Sequence, residues 1–174
     1  AIEAVLAVCQ KEKVEVFLCA GDIVGYGADP NPCLSKIQRL KTICVAGNHD
    51  WGVCGKWDLE YFEPAAKEAI LWTRKNLLFD YFSCLEELKP LFSNEDLILV
   101  HSNLDNPLQF DYVADFEDAA KTFYRMDRQV CFIGHTHVPK IFVEQQRGID
   151  CLSTVSLELE PNKKYIINAG SVGQ

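Results

Sequence analysis

The chain has 174 residues, 48% apolar and 24% charged, a composition ordinary for one globular domain and foreign to disordered or fibrous chains. Acidic residues outnumber basic ones 25 to 17, and the formal charge of −8 argues against a duplex nucleic acid partner, which needs a basic face. No apolar run approaches the roughly 18 residues of a membrane span, so no membrane partner is expected.

In chain order, Ile2, Val5, Leu6 and Cys9 fall at i, i+3, i+4 and i+7, which predicts a helix with one buried face. An apolar run from Val14 to Ala20 predicts a strand ending in Gly21-Asp22. Asp29-Pro30-Asn31-Pro32 then leads into a predicted helix over 32–40. A second strand, Thr42 to Ala46, ends in Gly47-Asn48-His49-Asp50. Helices follow over 64–78, with Pro64 suited to a first turn, and over 81–89. The strand Leu97 to Val100 ends in His101-Ser102-Asn103, and a helix is predicted over 116–126. Val130 to Ile133 ends in Gly134-His135-Thr136-His137. Ile141 to Val143 and Leu152 to Leu159 alternate and predict antiparallel strands, and Tyr165 to Ile167 runs into Asn168-Ala169-Gly170-Ser171.

Strands alternating with helices predict an α/β domain over 1–174, in which 51–96 is a mainly helical insertion and not a domain of its own. The short, continuous, β-branched runs suit strands covered on both faces. None of the eight cysteines forms a Cys-x-x-Cys pair, so zinc-finger and thioredoxin readings fail. Cys19, Cys44 and Cys131 lie inside apolar runs. The set reads as reduced core thiols in a cytoplasmic protein.

In open α/β sheets ligands bind beyond the carboxyl ends of the strands. All four histidines of the chain, His49, His101, His135 and His137, fall in the polar clusters at those ends. Asp22 adds a carboxylate able to bridge two cations, and Asn48 adds a neutral amide oxygen. This mixed oxygen and nitrogen set suits Mn, Fe or Zn and argues against copper(I). If the segment is extended, His135 and His137 point the same way and share a site.

Gly21-Asp22-Ile23-Val24-Gly25-Tyr26-Gly27, Gly47-Asn48-His49-Asp50, His101 and Gly134-His135-Thr136-His137 resemble, in order, the successive motifs of the calcineurin-like metallophosphoesterases. The tail Asn168-Ala169-Gly170-Ser171-Val172-Gly173-Gln174 resembles that of the small bacterial phosphodiesterase-like branch. The resemblance implies a four-layer α/β/β/α sandwich with two divalent metal ions at the sheet edge. It implies a phosphoesterase, most simply a phosphodiesterase, acting on a small phosphate ester through a hydroxide activated by the two metals. Asp22 would bridge the ions, Asn48, His101 and His135 would bind the second, and His137 the first. His49 would protonate the leaving group, with Asp50 orienting it.

Three departures qualify the resemblance. The family's opening Asp-x-His motif does not occur before Gly21-Asp22, so the native protein is expected to continue upstream of Ala1 into a strand that carries it. Ser102 stands where the family has glycine. Gly25-Tyr26 replaces the Asp-Arg of the superfamily's protein phosphatases, which speaks against a phosphoprotein substrate. The alternative reading is a non-catalytic interaction scaffold on the same fold, and retention of His49 and the other histidines favours the enzyme. Trp72 is expected in the core. Trp51 and Tyr26 are candidates to line the pocket, and Trp57, Tyr61 and Phe62 to form a lid.

Overall fold

A computed structural model describes residues 1–154 and 156–174. The chain forms two compact units, residues 1–89 with 172–174, and residues 90–171.

The first unit is mostly helical. Helix α1, Ile2–Lys11, is closed by Lys13 in the left-handed region (φ 55°), with Val14 N–H bonded back to the Cys9 carbonyl at 2.9 Å. That closure uses the start of the apolar run expected to be a strand. Strand β1 is therefore only Leu18–Cys19, and Val14 and Val16 stay exposed. The expected buried face of α1 is only half realised: Ile2, Leu6 and Cys9 are half-buried and Val5 is exposed. Strand β2, Ile43–Cys44, pairs with β1 in parallel, Leu18 opposite Ile43 and Cys19 opposite Cys44.

Helix α2 spans Pro30–Arg39, and α3, Asn48–Cys54, begins inside the polar cluster that follows β2. Helices α4, Pro64–Asn76, and α5, Phe79–Glu87, complete the unit. The core gathers Val24, Leu34, Val53, Ile70, Leu77 and Leu85. Ile70 and Thr73 are buried on one side of α4, and Leu77 is buried just past its end. Trp72 lies off that side and is 44% exposed, so its expected core position is not what forms. Phe62 packs against this core, whereas Tyr61 is exposed.

The second unit is a six-stranded mixed sheet in the order β3-β4-β5-β8-β6-β7. Its strands are β3 Leu91–Ser93, β4 Leu97–Val100, β5 Val130–Ile133, β6 Lys140–Gln145, β7 Gly148–Leu152 and β8 Tyr165–Asn168. Strands β4, β5 and β8 are parallel, so their carboxyl ends share one edge. Of the strand expected over Leu152–Leu159, only Leu152 is in β7; residue 155 lies outside the described residues, and its described neighbours carry no strand. Helix α6, Phe116–Arg125, is capped by the Asp115 carboxylate, which accepts from the N–H groups of Glu117 and Asp118. Its Ala119 and Phe123 enter a core with Ile98, Val100, Cys131, Ile133, Phe142 and Ile166. Among the described residues, no helix is long and apolar enough to cross a membrane.

Burial separates the side chains that hold the fold from those that do not. Phe123→Ala should cost about 3–5 kcal/mol, and Phe79→Ala, at a site 83% exposed, should stay within about 0.5 kcal/mol by urea denaturation. Burial also pushes the Cys131 thiol up to about 12. An alkylating reagent should therefore mark exposed Cys151 first and reach Cys131 only on unfolding, as peptide mass mapping over time would show.

Candidate functional site

In the first unit the site is built where β1 and β2 end. The Asp50 side chain is fully buried, and its carboxylate accepts four backbone N–H groups: Asp22 at 2.8 Å, Ile23 at 2.9 Å, Val24 at 3.2 Å and Gly47 at 3.0 Å. Burial and the neighbouring Asp22 charge push the Asp50 carboxyl up to about 7, while N–H groups of Gly47, Val24 and Asp22 pull against that rise. The two loops are thereby drawn together closely. A side chain on Gly47 would strike the Asp22 carboxylate, so only glycine fits there.

Asp22 sits in the left-handed region at φ 55°, and its Oδ1 accepts the His49 N–H at 3.0 Å near the start of α3. The buried His49 ring has Nδ1 3.3 Å from the Gly25 carbonyl, the Tyr26 ring stacked on it, and Phe62 edge-on. Gly25 has φ +94°, and a side chain there would lie 2.8 Å from the His49 Cβ. Asp50 was expected to orient the His49 ring. Its oxygens accept backbone N–H groups, through which it shapes the loops, and Gly25, Tyr26 and Phe62 contact the ring. Asn48 opens α3 beside His49. Trp51 is buried with the Lys56 ammonium 4.8 Å above its ring, so it belongs to the wall of the unit more than to an open pocket.

In the second unit His101 follows β4 and His135 follows β5. Gly134 N–H donates to the His101 carbonyl at 2.9 Å, and His101 Nε2 lies 3.0 Å from His135 Nδ1. Tyr112 stacks on the His135 ring at 4.1 Å and 7°, and buried Phe110 meets His101 edge-on. His135 and His137 have φ of 64° and 59°, so the segment is not extended and the alternation argument for their shared direction fails. The loop is held instead by buried Asn168, whose Nδ2 donates to Gly134 O at 2.6 Å and Thr136 Oγ1 at 3.0 Å. The sequence motif marked Asn168 only as part of a tail; a polar side chain ending an otherwise apolar strand was the signal of its role.

The donor chemistry fits a divalent cation. Two imidazole nitrogens 3.0 Å apart converge on one point, where they can share a proton or serve a cation. Asp22 and Asn48 offer oxygens of the kind that borderline metals accept beside imidazole. Asp22, His135 and His137 all occupy left-handed backbone, a conformation worth about 1–3 kcal/mol of strain each and concentrated at functional sites.

Removing the Asp50 carboxylate would strand several buried N–H groups, each worth about 1–3 kcal/mol. Asp50→Ala should lower stability by more than about 3 kcal/mol, measured by denaturant unfolding of the metal-free protein, and an unchanged midpoint would contradict this reading of the loops.

The whole chain, residues 1–174, matches the family model described as the calcineurin-like phosphoesterase superfamily domain. It is 38% identical over 179 residues to an uncharacterized protein of Methanocaldococcus jannaschii, covering 100% of this chain and 71% of that protein. The crystal structure of a metallophosphoesterase from Sphaerobacter thermophilus matches with a TM-score of 0.83 and 34% identity, over 99% of this chain and 71% of that one. A hypothetical protein from Pyrococcus horikoshii matches with a TM-score of 0.71 over 99% and 71% of the two chains, at 15% identity a likeness of fold alone. The expected α/β class is thus met, and the chain belongs to the calcineurin-like phosphoesterase superfamily, whose chemistry is metal-dependent hydrolysis of phosphate esters.

Proposed function

We propose that the protein is a phosphodiesterase in which Asp22, Asn48, His101, His135 and His137 hold two divalent cations, with Mn, Fe or Zn as candidates. The observation that carries this reading is the convergence of His101 Nε2 and His135 Nδ1 at the ends of adjacent parallel strands. Family membership supplies the reaction class. The cations, when bound, supply Lewis acidity and a nucleophile at neutral pH.

The chain's own residues do the rest. Asp22 is held by its neighbours: Oδ1 is fixed by the His49 N–H, and Oδ2 accepts from the Tyr26 hydroxyl at 3.2 Å. The Gly25 carbonyl can only accept, so it keeps a proton on His49 Nδ1 and leaves Nε2 to take and release one. His49 therefore serves as the general acid that protonates the leaving oxygen. Asp50 supports this from behind by fixing the loop that carries Asp22 and the start of α3. The substrate is a small phosphate diester.

Hydrolysis of diesters with nitrophenolate and with alkoxide leaving groups by the Mn²⁺-loaded protein tests the reading. Asp22→Ala should abolish both reactions and most bound metal. His49→Ala should lose about 10²- to 10⁴-fold on the alkoxide, and much less on nitrophenolate, which leaves without a proton. An Asp22→Ala protein with normal rates would refute the site, and a wild-type protein inert toward every diester would favour the scaffold reading.

A further inference from the structure

Tyr26 touches both groups on which the proposed chemistry turns. Its ring lies on the His49 imidazole with centroids 3.9 Å apart and planes 21° from parallel. Its hydroxyl donates to Asp22 Oδ2 at 3.2 Å. Two other contacts of the imidazole are weaker guides to its plane. The Gly25 carbonyl meets Nδ1 at 3.3 Å, a long hydrogen bond, and Phe62 meets the ring edge-on at 5.0 Å. The ring torsion of a histidine is broad, so a long hydrogen bond at Nδ1 does not by itself fix the ring plane. A near-parallel ring laid flat on one face removes that freedom, and the hydroxyl tether to Asp22 stops the tyrosine from moving away with it.

We propose that Tyr26 is a positioning residue that sets the plane of the His49 imidazole relative to the Asp22 carboxylate, so that Nε2 stays aimed for proton delivery. The inference rests on the reading of His49 as general acid. It gives the Gly25-Tyr26 pair, where superfamily protein phosphatases carry Asp-Arg, a job of its own: a clamp on the acid in place of a clamp on phosphate. Gly25 contributes by turning the chain at φ +94°, which lets the tyrosine fold back over the ring.

Three proteins test it: Tyr26→Phe, which keeps the stack and loses the tether, Tyr26→Leu, which loses both, and His49→Ala as reference. With Mn²⁺ bound, Tyr26→Leu should lower kcat for the alkoxide diester about tenfold, with KM changed less than about twofold and the nitrophenolate rate lowered several-fold less. Tyr26→Phe should recover most of the loss. In the metal-free wild-type protein, the His49 ring protons should resonate upfield, under the tyrosine ring current, and should do so in Tyr26→Phe but not in Tyr26→Leu. His49 protons without that upfield shift in the wild-type protein would overturn the proposal whether or not Tyr26→Leu folds. Equal losses on both leaving groups, or no rescue by phenylalanine, would also overturn it, provided His49→Ala shows its own leaving-group dependence. If His49→Ala shows none, the general-acid reading fails, and with it the positioning role.

Discussion

The buried carboxylate of Asp50 is the contact on which the loops of the first unit depend. Four backbone N–H groups from two separate loops end on its two oxygens. A buried carboxylate is costly unless its lone pairs are filled, and here both oxygens are shared among donors that would otherwise be stranded. The arrangement forces the loops into contact, which is why Gly47 has no room for a side chain and why Asp22 takes left-handed backbone. From that contact follow the capture of the His49 N–H by Asp22 and the start of α3.

The second unit solves the same problem with a neutral group. Asn168 donates from its amide to the Gly134 carbonyl and the Thr136 hydroxyl, and accepts the Gly170 N–H on its oxygen. It thereby stiffens the left-handed loop carrying His135 and His137. In each unit, strain at candidate ligands is sustained by a buried polar side chain that is not itself a ligand. The first unit also carries a repulsion. Asp22 and Asp50 are two carboxylates close enough that the charge of one raises the other, a repulsion that a cation at Asp22 would relieve.

Much of this was legible in the residues. The strands Leu97–Val100 and Val130–Ile133 form as their continuous apolar runs predict, because parallel strands covered on both faces need no alternation. That His101 and His135 follow adjacent parallel strands was legible in the apolar runs before them. What stayed hidden depends on long-range contacts. The run Val14–Ala20 looks like a full strand, yet its first residues are taken by the closure of α1. The cluster Asn48-His49-Asp50 reads as a loop but forms the first turn of α3, stabilised by Asp22 from 26 to 28 residues away in sequence order. The resemblance assigned Asp50 to orienting the His49 ring, a contact between neighbours in sequence. Neighbouring helical residues point about 100° apart, so the ring and the carboxylate meet different surroundings. Trp72 was misjudged for the same reason, since hydrophobicity alone does not say which side of α4 faces inward.

The metal-binding role of the strand-end histidines of the second unit is tested by anomalous diffraction from crystals of this protein grown with Mn²⁺. Manganese peaks are expected within bonding distance, about 2.0–2.3 Å, of His101 Nε2 or His135 Nδ1. Manganese bound elsewhere, or no ordered manganese at saturating concentration, would contradict it.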